Sequence, residues 1–166
     1  MCIRDRSYVD NPFKKDAKFN FDKFRSHVAM AMRMMDDIID LELEKVEQII
    51  EKIAADPEDE DVRRVELELW KKILGMAQKG RRTGLGITAE GDMLAALGLV
   101  YGSEEAIAFA VEVQKTLAVE AYRASVKMAA ERGAFPVYDA AKEKDNPMIA
   151  RIREADPELY AEMAVS

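Results

Sequence analysis

From Phe21 onward the apolar positions recur every three or four residues: Phe21, Phe24, Val28, Ala31, Met32, Met35, Ile38 and Ile39. That spacing stacks them on one side of an α-helix and predicts a buried face. Asn20 stands just before the run and Asp22 lies in its first turn, a start signal, because an Asn side chain accepts a bond from a free first-turn N–H. The pattern continues through Leu41, Leu43, Val46, Ile49, Ile50 and Ile53 with a phase shift near Asp40. Two abutting helices, or one bent helix, from about Phe21 to about Ala54 satisfy it equally.

The acidic break Asp56-Pro57-Glu58-Asp59-Glu60-Asp61 follows. Its carboxylates suit the positive end of the next helix, and it lacks the central Gly of an EF-hand loop. A further helix is expected from about Val62 to Lys79, with Val65, Leu69, Trp70, Ile73 and Met76 inward and Gly80 as a left-handed cap. A short helix over Glu90 to Leu97 ends at Gly98, and a long one from Ser103 to about Glu131 ends at Gly133. Phe135-Pro136-Val137-Tyr138 reads as an extended connector, and Asn146-Pro147 and Asp156-Pro157 open two short helices. The fold class is therefore mainly α, with no internal repeat.

Composition supports this picture. In 166 residues the apolar content is Ala, Leu, Ile, Val and Met rather than aromatic, and the net charge is −7. An acidic chain without a basic stripe argues against nucleic acid or anionic lipid as partner. No apolar run approaches the roughly 20 residues of a membrane span, and no export signal is visible, so a soluble, cytoplasmic protein is expected. Cys2 is the only cysteine, which leaves no disulfide framework, no Cys-based metal site and no thiol pair.

Several constellations invite chemistry. His27 shares a helical stretch with Asp36, Asp37, Asp40, Glu42 and Glu44, but a di-iron carboxylate site needs Glu three residues before each His, and position 24 is Phe. Asp36, Asp37 and Asp40 fall on adjacent helical turns, where exposed carboxylates are the simpler reading than acid/base groups. Met30, Met32, Met34, Met35 and Met76 read as adaptable core filling. Gly84-Leu85-Gly86 with Gly91 has the spacing G-x-G-x-x-x-x-G and no strong preceding strand, which fails the dinucleotide fingerprint. Three glycines within eight residues instead suit positive φ and close backbone packing. Arg81 and Arg82 are placed to cap the carbonyls of the preceding helix or to pair with carboxylates outside these residues.

The run Gly80-Arg81-Arg82-Thr83-Gly84-Leu85-Gly86-Ile87-Thr88-Ala89-Glu90-Gly91-Asp92 continues through Gly98. With Asn11-Pro12-Phe13, Met35 to Lys45, Ala121-Tyr122-Arg123 and Gly133-Ala134-Phe135-Pro136, it resembles the large catalytic subunit of ribonucleotide reductases. The likeness covers about Tyr8 to Met163. Asp36 to Lys45 and the charged insert after it favour the adenosylcobalamin-dependent class II branch, with a class I large subunit as the alternative.

The resemblance implies a helical portion of a ten-stranded α/β barrel. It implies reduction of a ribonucleoside di- or triphosphate at its 2′-hydroxyl by thiyl-radical chemistry, and adenosylcobalamin as cofactor. A thioredoxin-like or dithiol reductant and a homo-oligomeric parent are implied as well. The family's radical-bearing cysteine loop and its substrate-phosphate loop have no counterpart in these residues, so no catalytic, cofactor or metal residue is expected here. Arg81, Arg82, Gly84, Gly86, Gly91 and Asp92 carry over as scaffold near the barrel. Met1-Cys2-Ile3-Arg4-Asp5-Arg6 matches the translation of a transposon end used in sequencing libraries, so residues 1–7 are expected to be foreign and 8–166 a partial barrel domain. On composition alone the rival is a non-enzymatic acidic helical bundle, which should close its own core where a barrel portion should not.

Overall fold

The computed structural model describes residues 1–163; the last three positions of the expected 8–166 span lie outside them. The long periodic stretch is one uninterrupted helix, α1 (Phe21–Ala54). Asn20 caps it, its side-chain oxygen accepting the Lys23 N–H at 3.0 Å. Asp59 opens α2 (Glu60–Gly80) by accepting the Asp61 N–H at 2.9 Å, and Asp56 accepts that of Glu58 at 3.2 Å. The acidic break is thus organised as a turn and a helix start. Helix α3 (Glu90–Leu97) ends at Gly98, φ 77°. Ser103 caps α4 (Glu104–Arg132) through the Ala106 N–H at 3.2 Å, and Gly133, φ 85°, stops it.

The stretch after α4 departs from expectation. Phe135 to Tyr138 is a turn closed by a 2.9 Å bond from the Tyr138 N–H to the Phe135 carbonyl, with the two rings packed edge to face. Pro136 fixes φ where the second residue of a tight turn needs it, which wins over extension. A short α5 (Ala140–Glu143) that the sequence did not announce precedes α6 (Pro147–Ala155) and α7 (Pro157–Met163). Val119 of α4, Ile152 of α6 and Leu159 of α7 form their own small core.

Four short strands were also missed, being too brief for an alternating pattern. β1 (Cys2–Arg4) pairs in parallel with β4 (Gly86–Thr88), Ile3 opposite Ile87. β2 (Val9–Asp10) pairs antiparallel with β3 (Lys18–Phe19). Between β1 and β2 the chain makes a 3-10 turn, Asp5–Tyr8. Behind these strands lies the main core: Ile3, Tyr8, Val9, Phe19, Phe24, Val28, Ala31, Met93, Leu94, Ala96, Ala106, Val113 and Leu117. Phe24 and Tyr8 meet edge to face at 5.1 Å between centroids, and Phe19 meets Phe24 at 5.3 Å. Such pairs add roughly 0.5–1.5 kcal/mol to the area they bury.

The distal part of α1 packs with α2 as a helical hairpin. Ile39, Val46 and Ile53 are buried at seven-residue intervals, with Leu43 and Ile50 half-buried between them. On α2, Arg63, Leu67, Trp70, Leu74 and Ala77 repeat the same four-three spacing and are half-buried. This is the 3.5-residue period of a coiled-coil seam on both helices.

The inward face expected of α2 is corrected by this geometry. Val65, Leu69 and Met76 are 58%, 55% and 65% exposed, and no residue of α2 is buried. The helix carries two apolar seams, and α1 covers only one of them. Met30 and Met34 on α1 are exposed as well, so among the methionines read as core filling only Met32 and Met35 are even half-buried.

Candidate functional site

The glycine-rich turn leaves α2 at Arg81, not at Gly80. Gly80 is the last helical residue, and Arg81 takes the left-handed conformation, φ 40° and ψ 49°, its N–H bonded to the Ala77 carbonyl at 3.0 Å. A non-glycine residue there costs on the order of 1 kcal/mol, and its side chain supplies the compensation. The Arg81 guanidinium donates from Nε to Asp36 Oδ1 at 2.8 Å, from Nη1 to Asp40 Oδ1 at 2.7 Å, and from Nη2 to the Asp36 carbonyl at 3.0 Å. From the end of α4, Arg132 donates to Asp36 Oδ2 at 2.5 Å and to Asp37 Oδ1 at 2.9 Å. Arg33 pairs with Glu131 beside them.

The three carboxylates of α1 therefore work as ion-pair acceptors. Partial burial acts to raise the Asp36 pKa, but the hydrogen bonds and charges of Arg81 and Arg132 together outweigh it and hold the carboxyl below its ordinary range. Bonds to Asp36 and Asp40 push Arg81 further up. A group so held is charged throughout the physiological range and is a poor proton carrier, which removes the acid/base reading.

The other motif residues scatter. Arg82 and Gly84 are exposed, Gly86 sits half-buried at the start of β4, and Gly91 and Asp92 lie exposed on the first turn of α3. None of Gly84, Gly86 and Gly91 has positive φ; Arg81 and Ala89 do. A Cβ built on any of the three glycines meets nothing within 4 Å, so within these residues the expected close packing at the motif is absent. His27 is exposed and its Nδ1 is hydrogen-bonded to the Tyr8 hydroxyl at 3.0 Å.

Two residues escaped the sequence reading. Arg132 lies 96 positions from Asp36 and has no local pattern that marks it as a partner. Asp5 is fully buried with neither carboxylate oxygen hydrogen-bonded. Burial, with the charge of Glu90 adding to it, pushes its pKa up to about 7. Only its position between buried Ile3 and Tyr8 hints at this.

Concavities are shallow. One of about 250 Å³ lies between β1 and α1, lined by Ile3, Tyr8, His27 and Met30 among others. A wider open groove of about 740 Å³ runs between α4 and α6, past Ile107, Val111, Met148 and Ile152.

Among the described residues the fold is helical with two two-stranded sheets, and the ion pairs at the turn after α2 tie helix ends together. The sequence profile of the ribonucleotide reductase barrel domain matches residues 4–159, and the chain belongs to that family. A vitamin B12-dependent ribonucleoside-diphosphate reductase of Thermoplasma acidophilum is 33% identical over 121 residues, 73% of this chain and 13% of that protein. One of Mycobacterium tuberculosis is 28% identical over 123 residues, 74% of this chain and 14% of the relative. The chain thus spans about one-seventh of the curated relatives it matches. No solved structure matches it.

Proposed function

We propose that these residues form part of the catalytic subunit of a cobalamin-dependent ribonucleotide reductase, acting on ribonucleoside diphosphates. The observation that carries the reading is the barrel-domain match over nearly the whole chain, joined to relatives that are named as B12-dependent diphosphate reductases. In this reading residues 8–166 are a partial barrel domain, and Arg81, Arg82, Gly84, Gly86, Gly91 and Asp92 are scaffold. A thioredoxin-like or small dithiol reductant, a self-associating parent and a cytoplasmic location belong to the same proposal. Among the described residues no helix is long and apolar enough to cross a membrane.

Residues 1–7 are foreign in this proposal; the unpaired Asp5 carboxylate favours that, whereas the family profile, which begins at residue 4, and Ile3, buried in the main core, count against it. An unpaired carboxylate in an apolar core is costly, and natural cores pair or exclude such groups.

The residues present do not fit adenosylcobalamin. The concavities are open and shallow, the one imidazole is engaged by Tyr8, and the one thiol belongs to exposed Cys2 on β1. No chemical step is assigned to this chain. The test is deoxynucleotide formation by the full-length parent with a ribonucleoside diphosphate, adenosylcobalamin and a dithiol. Product is expected from the parent and none from the 166-residue chain alone. A parent that turns over only with a separate metal-containing subunit would move the protein to class I.

A further inference from the structure

The Asp36 carboxylate is shared. One oxygen accepts from Arg81 in the turn after α2, and the other accepts from Arg132 at the end of α4. The side chain is only 13% exposed, so water replaces neither partner easily. A second link joins the same two crossings: the Val137 N–H, in the turn that follows α4, donates to the Lys79 carbonyl at the end of α2 at 3.2 Å. Arg81 also reaches the Asp36 carbonyl, which fixes the guanidinium plane against the helix as well as its charge.

We infer that Asp36 is a positioning residue that couples two chain crossings, so that the Arg81–Thr88 turn and the Gly133–Tyr138 turn are held or released together. The physical reason is geometric. Arg81 meets Asp36 and Asp40 through different guanidinium nitrogens, and Arg132 completes the opposite side of the same carboxylate. Removing either arginine frees Asp36 to rotate toward the other and spoils the planar fork that Arg recognition depends on. The left-handed backbone at Arg81, which is unfavourable by itself, then loses what holds it, and β4 loses its fixed entry toward β1. This coupling stands on geometry inside the chain and does not rest on the reductase reading, so each can fail without the other.

The test is amide hydrogen exchange on the whole chain, comparing wild type with Asp36→Asn, Arg81→Gln and Arg132→Gln. Asp36→Asn is expected to speed exchange in both 81–88 and 133–138 by about tenfold or more, while amides of α3 and the first half of α1 hold their rates. Each arginine variant is expected to speed the distant segment as well as its own, the distant one by a smaller factor. Asp36→Glu, which keeps the charge but lengthens the arm, should recover part of the protection. Arginine variants that affect only their own segments would show two independent ion pairs and overturn the coupling. A uniform rise across the chain would reduce Asp36 to general stability and overturn it equally. If Asp36→Asn does not fold, the two arginine variants decide between these outcomes.

Discussion

The core around β1, β4 and α3 and the arm made by distal α1 and α2 use opposite means to hold helices in place. In the first, thirteen buried residues close on one another and the aromatic rings of Tyr8, Phe19 and Phe24 interlock. In the second, one coiled-coil seam is closed, another stands open along Val62, Val65, Leu69 and Met76, and arginine–aspartate pairs fasten the base. The open seam, interrupted by exposed Lys72, is apolar surface that this chain does not itself cover. The contrast separates what this chain stabilises by itself from what it leaves to its surroundings.

The largest expected break in that contrast is a core truncation. Phe24→Ala should cost about 3–5 kcal/mol, whereas Leu69→Ala on the open seam should change stability by no more than about 0.5 kcal/mol. Urea unfolding of both variants checks the pair. Comparable losses would mean that α2 is buried in solution.

Asp5 gives the next effect, with the opposite sign. Its folded-state pKa of about 7 lies above the ordinary 3.8, so the folded form binds the proton more tightly and the ionised form is penalised. At ~1.4 kcal/mol per pH unit the penalty reaches roughly 4 kcal/mol above pH 7 and fades as pH falls toward 4. Asp5→Leu should therefore stabilise the chain most at pH 8 and much less at pH 5, read by melting at the two values. A loss of stability at pH 8 would show that the carboxylate has found a partner.

Arg81→Gln should cost on the order of 1–3 kcal/mol, because it leaves half-buried Asp36 short of one charged donor and exposed Asp40 without its ion pair. Asp36 is held below its normal pKa, so its contribution is present above the ordinary carboxylate range and is lost as pH falls through its lowered folded value. Denaturant melts from pH 7 downward should show wild type and Arg81→Gln converging in acid. The smallest effect belongs to the glycines. Gly84→Ala and Gly86→Ala should each shift stability by less than about 0.5 kcal/mol in this chain, since their Cβ positions are open and their φ is negative.

Which parts were legible in the sequence follows from the same contrast. Caps at Asn20, Ser103, Gly98, Gly133 and Asn146 are local chemistry and could be read directly. The family could also be read, because its motif is contiguous. Periodicity identified α2 but could not say which of its two apolar seams meets α1, since that depends on the partner's position and not on the helix's own pattern. It likewise placed the left-handed cap at Gly80, because propensity cannot see that Asp36 and Asp40 wait to hold Arg81 in that conformation. Long-range pairs such as Asp36 with Arg132 leave no signal in a single sequence.

The most direct measurement compares amide exchange of the chain alone with that of the same residues inside the full-length parent. Amides of Phe24 to Ala31 and of α3 should be protected in both. Those of α2 should exchange quickly in the isolated chain and become protected in the parent. Equal and strong protection of α2 in both would contradict the division of the molecule into a self-sufficient core and an arm built to be covered.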